Sequence, residues 1–136
     1  MELFTERYGK IVCMVLVVVD LVLGGTAVFF PYSYAEIFHP GLTTPPIDFI
    51  VRTGILWLGF AFFQGVAAFS KNPQRWFFVV SILRLMDVPA DIIYGILAMG
   101  ATMISRIMIW SAPLLNTLFG LYLLTLSQRL KEGREA

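Results

Sequence analysis

The sequence predicts an all-α protein: a membrane-embedded bundle of four transmembrane helices. Of its 136 residues, 58% are hydrophobic and only 14% are charged, whereas soluble domains carry roughly a quarter of charged residues. The mean hydropathy is +0.79, and four stretches approach the length of about 20 apolar residues that a span requires. Because a chain this short has too few polar groups to cover so much apolar surface, we expect residues 1–136 to form a single transmembrane domain in a lipid bilayer.

The four predicted spans cover about residues 10–30, 50–70, 76–99 and 105–128. Span one is interrupted only by Asp20. Asp20 also argues against a cleaved signal peptide, as does the lack of a small-x-small site after the apolar run. Span two is uncharged from Thr53 to Ser70, and span four is uncharged from Ile107 to Gln128. Span three differs because it contains three charged residues.

Basic residues predict the orientation, since Lys and Arg concentrate on the cytoplasmic side of short loops. Four spans place both termini on the same side of the membrane. That side holds seven basic residues: Arg7, Lys10, Lys71, Arg75, Arg129, Lys131 and Arg134. The opposite loop, residues 31–49, has no Lys or Arg. We therefore expect both termini to be cytoplasmic.

The loop between spans one and two contains signals for the start of span two. Residues 44–46 read Thr-Pro-Pro, which is typical of a capping hydroxyl followed by proline in a first helical turn. Asp48 falls close to that turn, where the helix dipole favours a negative charge. Arg52 lies one turn further on, so we expect these two residues to form a local pair on the outer side. Arg52, at the outer end of span two, could also approach Asp91.

Span three carries a polar stripe. On a helix, steps of three and four residues place Arg84, Asp87, Asp91 and Tyr94 on one face. Charged side chains inside spans are costly and mark either a function or an internal pairing. Lipid cannot satisfy such a stripe, so it must face other helices or a water-filled cavity. Pro89, between the two acids, predicts a kink there.

Counting helical rises predicts which polar residues meet. Asp20 lies ten residues beyond Lys10 and Arg84 lies nine beyond Arg75, so at 1.5 Å per residue both lie about 14 Å into the membrane. They are candidates for an ion pair. Asn116 falls near the level of Asp87, and Gln64 is a further candidate for the same interior. The predicted polar site comprises Asp20, Gln64, Arg84, Asp87, Asp91 and Asn116.

Two interpretations of this site stay open. Paired charges can fix the register of helices without transport or catalysis, and the acids and arginines nearly balance. However, one acid is in surplus. Asp87 and Asp91, one turn apart in a dry interior, would suit a proton-carrying or cation-binding group.

The sequence lacks the residues that several classes of function require. The formal net charge of +1 gives no reason to expect a nucleic-acid partner. Cys13 is the one cysteine, so neither a disulfide framework nor a cysteine metal cluster is possible within the chain, and no metal site is predicted. His39 is the one histidine, which excludes a haem held by two histidines but leaves a single-histidine pigment or haem ligand open. The sequence identifies no cofactor.

One segment carries a family resemblance. In span two the chain has Arg52, Thr53, Gly54, Gly59, Gln64 and Gly65. This string resembles the second helix of small bacterial four-helix membrane proteins of the DoxX-like kind. The resemblance covers little more than that helix and the four-span layout. It implies a location in a bacterial inner (cytoplasmic) membrane and an association with quinone-linked oxidases or redox pathways. No functional residue is transferred from it.

The sequence therefore favours a non-enzymatic accessory or scaffold subunit that packs against larger membrane subunits, such as those of an electron-transfer or photosynthetic complex. Short loops and the absence of catalytic motifs favour this hypothesis. The alternative is a small proton- or cation-coupled transporter, or a ligand-binding protein, that uses the acids of span three on a small molecule. A third hypothesis is a membrane isomerase whose acids shuttle protons on a lipid-like substrate.

Overall fold

The computed structural model describes residues 5–39, 47–98 and 100–135. In that part of the chain all regular structure is helical and no strand occurs, so the prediction of an all-α protein is confirmed. The five helices are α1 (Glu6–Phe29), α2 (Pro31–Phe38), α3 (Ile47–Phe69), α4 (Pro73–Leu97) and α5 (Met103–Glu135).

Three of the four predicted spans coincide with helices that are long and apolar enough to cross a membrane, namely α1, α3 and α5. Helix α4 has 25 residues, which corresponds to roughly 37 Å, but its charged residues set it apart from the other three. Large apolar side chains lie exposed on the outer surface of every long helix, among them Val22, Phe62, Met86 and Leu118. This surface indicates a lipid bilayer environment.

The helix bounds differ from the predicted spans mainly at the chain ends. Helix α5 continues to Glu135, beyond the predicted end of span four at about residue 128, because Arg, Leu, Lys and Glu are good helix formers even where the apolar pattern stops. Helix α1 stops at Phe29, close to the predicted end of span one at about residue 30, and Pro31 takes the first position of α2. The predicted cap at residues 44–46 lies outside the described residues.

The long helices associate as two pairs. Helix α1 packs along α3, and α4 packs along α5, while α3 and α4 form the main contact between the pairs. The first pair approaches closely at two glycines. A Cβ atom added to Gly54 would lie 2.8 Å from Ala27 Cβ and 2.9 Å from Gly24 O. Only glycine fits this crossing, as small residues do at helix contacts in membranes.

The second pair has similar contacts. A Cβ atom on Gly120 would lie 2.7 Å from Leu85 Cγ, and one on Gly95 would lie 3.1 Å from the Trp110 ring. Other glycines face open space, as at Gly65, where no atom lies within 4 Å of an added Cβ. The glycines therefore distinguish the packed faces of the helices from the outer ones.

One end of the bundle is sealed by apolar side chains. We call it the terminal end, because α1 begins there and α5 ends there. Ser127 Oγ donates to Gln74 O at 2.9 Å and ties α5 to the start of α4. The buried residues at this end, here called the terminal cluster, are Cys13, Leu16, Ala67, Ala68, Phe77, Val80, Leu123 and Leu126. The opposite end, where α2 packs between α1 and α3, is called the α2 end.

Candidate functional site

A buried polar cluster lies where the two helix pairs meet. Asp20 of α1 and Gln64 of α3 come from the first pair, whereas Arg84 of α4 and Asn116 of α5 come from the second. The exposed fractions of these four residues are only 2%, 1%, 5% and 7%. Since every long helix contributes one of them, the cluster depends on the assembly of the whole bundle.

Asp20 and Arg84 form the centre of the cluster. The Arg84 Nη2 group donates to Asp20 Oδ2 and forms an ion pair with it. The same carboxylate oxygen accepts a hydrogen bond from Gln64 Nε2 at 2.8 Å. The structure thus places the two charges predicted to lie at equal depth in direct contact. A buried charge with this partner avoids the several kcal/mol that an uncompensated one would cost.

Asn116 connects this ion pair to two further acids. Its Oδ1 accepts from Arg84 Nη1 at 3.0 Å. Its Nδ2 donates to Asp91 Oδ2 at 2.9 Å and, at a longer 3.4 Å, to Asp87 Oδ2. Arginine has only donors and an ionised carboxylate has only acceptors, so the orientation of the amide between them follows from its neighbours.

The two acids of the polar stripe, Asp87 and Asp91, lack the ion-pair partner that Asp20 has in Arg84. Neither Asp87 nor Asp91 forms an ion pair with any basic side chain among the described residues. The guanidinium of the cluster, that of Arg84, already contacts Asp20. Asp20 thus has a guanidinium and an amide as partners, whereas Asp87 and Asp91 have one amide between them. The outer two are therefore the carboxylates that a proton or a cation would stabilise most.

Two buried atoms of the cluster lack a hydrogen-bond partner among the described residues. They are Arg84 Nε and Gln64 Oε1. The Arg84 guanidinium also lies over the ring of Phe60, with 5.7 Å between its Cζ and the ring centroid, which is within the range of a cation–π contact. The guanidinium is thus held by an acid, an amide and an aromatic ring.

The site is closed towards the terminal end and more open towards the α2 end. Val80 and Phe77, one and two turns before Arg84, are 1% and 0% exposed and belong to the terminal cluster. In the other direction Asp87, Asp91 and Tyr94 are each half-buried. The polar stripe of α4 therefore runs from a sealed interior to a partly accessible end.

His39 lies at that accessible end and contacts Tyr94. The Tyr94 hydroxyl and His39 Nδ1 are 3.3 Å apart, and their rings meet edge to face with centroids 5.6 Å apart. Burial lowers the pKa of His39 below its ordinary 6.5. Burial also raises the pKa of the neighbouring Tyr34, with further contributions from Tyr94 and Asp91. His39 itself is half-buried.

The pair predicted on the outer side does not form. Asp48 lies in the first turn of α3 as expected, but both Asp48 and Arg52 are exposed. No ion pair joins them, or joins Arg52 to Asp91, among the described residues. An exposed pair one turn apart contributes little free energy, so nothing holds the two side chains together.

The described residues contain no group of three or more His, Cys, Asp or Glu side chains arranged to hold a metal ion. Asp20 accepts from Arg84 and Gln64, and Asp87 and Asp91 accept from Asn116, without forming such a group. What the cluster can do chemically is to exchange protons, to bind a small cation at the outer acids, or to hold the two helix pairs together.

Comparison with protein-family models, with curated proteins and with solved structures finds no match for this chain. The site therefore has to be interpreted from its own geometry. Sequence reasoning named the four residues of the buried cluster, the two further acids Asp87 and Asp91, and the polar stripe up to Tyr94. It missed the contact between Tyr94 and His39. The positions of these two residues in the sequence do not indicate this contact, because it depends on how α2 packs on the bundle.

Proposed function

We propose that the protein is a small proton- or cation-coupled membrane protein whose working site is the Asp87–Asp91 pair. The observation that carries this proposal is that both carboxylates rely on a single amide nitrogen, Asn116 Nδ2. Neither has an ion-pair partner among the described residues. A site built for stability alone would be expected to compensate its buried charges more completely.

The charge balance of the cluster supports the same proposal. Asp20 and Arg84 neutralise each other. Asp87 and Asp91 then add two negative charges when both are ionised, at positions one helical turn apart. Binding of one proton or one monovalent cation relieves their repulsion, and this is the property that a reversible carrier needs.

The proposed topology has four spans with both termini in the cytoplasm, in a bacterial inner membrane. Helix α4 serves as the third span despite its charges, because its polar stripe is turned towards Asp20 of α1 and Asn116 of α5. In this orientation the α2 end faces outward, and the half-buried stretch from Tyr94 to Asp87 gives access from outside.

The second candidate is an accessory subunit of a larger membrane complex, including an electron-transfer complex as the DoxX-like resemblance implies. The observation in its favour is the continuous apolar surface, which includes glycines that face open space at Gly25, Gly59 and Gly65. Another subunit's helix could approach closely at such positions. Co-purification of defined partner subunits from native membranes would support this candidate.

Proton entry into proteoliposomes tests the first proposal. A trapped pH-sensitive dye reports proton entry under an imposed membrane potential, with and without sodium or potassium gradients. Wild-type protein is expected to admit protons faster than protein-free vesicles, and Asp87→Asn together with Asp91→Asn is expected to abolish the difference. Asp48→Asn, at an exposed position of α3, is the matched control. Wild-type vesicles no faster than empty ones would contradict transport and favour the accessory subunit.

A further inference from the structure

Asn116 occupies a special position in the cluster. It is the one described residue that hydrogen-bonds both to Arg84 and to the outer acids Asp87 and Asp91. Arg84 in turn joins the helix pairs through its contact with Asp20. A single amide thus lies between the proposed working site and the contact that holds the two halves of the bundle together.

The chemistry of the partners makes this amide sensitive to occupancy of the acids. While Asp87 and Asp91 are ionised they only accept, so they hold Nδ2 towards themselves and leave Oδ1 to Arg84. A protonated carboxyl group is a weaker acceptor than a carboxylate, so it holds Nδ2 less firmly. Consecutive hydrogen bonds polarise one another, and the amide accepts most strongly at Oδ1 while its Nδ2 donates to a charged acid. Neutralising the acids therefore weakens the bond from Arg84 Nη1 to Asn116 Oδ1.

We infer that Asn116 couples occupancy of the Asp87–Asp91 pair to the Asp20–Arg84 contact between the helix pairs. Asn116 is then a positioning residue, because it acts on Arg84 and on the acids without being the group that takes up the proton. This inference rests on the proposed function, since it requires the acids to change their occupancy.

Other ionisable groups face the same region. Asp20 approaches from α1, and Arg84, Asp87, Asp91 and Tyr94 lie on α4. Tyr34 and His39 lie on and beside α2. Helices α3 and α5 contribute the amides Gln64 and Asn116 to the cluster, which do not titrate. Protonation of Asp87 also acts on Arg84 directly, through their electrostatic interaction. This direct effect has to be separated from the effect that passes through Asn116.

NMR of isotope-labelled arginine, asparagine and aspartate side chains, in lipid nanodiscs, tests the coupling. In the wild-type protein, the Arg84 guanidinium and Asn116 amide signals should shift at the same pH midpoint as the carboxyl signals of Asp87 or Asp91. In Asn116→Ala the Arg84 shift should fall by about twofold or more, because only the direct electrostatic effect is left. Asn116→Leu, which keeps the size of the side chain, should give the same result.

Thr117→Ala is the matched control, because the Thr117 hydroxyl donates only within its own helix, to Pro113 O at 2.7 Å. It should leave the Arg84 shift unchanged. An Arg84 shift as large in both Asn116 variants as in the wild type would overturn the inference. If neither variant folds, the wild-type titration decides alone, since unequal midpoints for Arg84, Asn116 and the acids would also overturn it. Loss of proton entry in the Asp87 and Asp91 variants is a separate result, so the two proposals can fail independently.

Discussion

Asp20 and Arg84 are 64 positions apart in the chain and belong to different helix pairs, yet their side chains form an ion pair in the interior of the bundle. Each also has a second partner from its own pair. Gln64 donates to Asp20 at 2.8 Å, and Arg84 donates to Asn116 at 3.0 Å. The ion pair is therefore a junction between the two halves of the molecule.

Removing one member of this pair should destabilise the protein strongly. Asp20→Leu leaves the Arg84 guanidinium buried without a carboxylate, which costs about 3–5 kcal/mol. Arg84→Met should cost a similar amount, because it leaves Asp20 unpaired. The free energy of unfolding in detergent, measured with increasing denaturant, checks both variants.

The double variant with Asp20→Leu and Arg84→Met provides the decisive comparison. Since it contains neither charge, it should regain most of the loss. The exposed Asp48→Asn should leave the free energy of unfolding unchanged within error. A double variant as unstable as the sum of the single ones would show that the two side chains do not act as a pair.

Close packing of α1 on α3 predicts a large effect at one glycine and none at another. Gly54→Ala introduces a Cβ atom 2.8 Å from Ala27 Cβ, and such overpacking costs about 1–3 kcal/mol. Gly65→Ala, on the same helix, meets no atom within 4 Å and should leave stability equal or slightly higher. Equal thermal unfolding temperatures for the two variants would contradict the described contact between the helices.

Much of the site could be predicted because a helix converts sequence separation into distance. Counts of ten residues from Lys10 and nine from Arg75 placed Asp20 and Arg84 at about the same depth, and the structure shows them in contact. Steps of three and four residues placed Asp87 and Asp91 on one face, where both meet Asn116. These relations depend on a rise and a period that hardly vary.

Contacts that depend on which helices become neighbours, or on the path of the chain between helices, could not be predicted in the same way. The sequence does not say that α1 pairs with α3 and α4 with α5, because apolar faces alone do not choose a neighbour. The contact of His39 with Tyr94 requires the path of the chain through α2. The expected pair of Asp48 with Arg52 has no such geometric constraint, since both side chains are exposed and free to point apart.

The lowered pKa of His39 predicts a specific dependence of stability on pH. Because burial lowers the pKa of His39 in the folded protein below 6.5, the unfolded chain binds the extra proton more readily. The contribution of the neutral histidine is therefore fully present above pH 6.5 and is lost as the pH falls through the folded-state pKa. His39→Gln, which does not titrate, should lack this part of the pH dependence.

The measurement is the difference in the free energy of unfolding between the wild type and His39→Gln across a pH series. The wild type should lose stability relative to the variant on acidification. Tyr94→Phe keeps the histidine and removes the hydroxyl that contacts it, so it should retain most of the pH dependence. A difference between wild type and His39→Gln that does not change with pH would contradict the burial of the neutral ring.

The central claim is that Asp87 and Asp91 change their protonation state in the folded protein while Asp20 stays ionised beside Arg84. Infrared difference spectroscopy of the carboxyl band in lipid nanodiscs, titrated from neutral to acid pH, measures this directly. A reversible protonated-carboxyl band that is lost in the variant with both Asp87→Asn and Asp91→Asn is the predicted result. A band that is unchanged in that variant, or no protonation over the whole pH range in which the protein stays folded, would contradict the account.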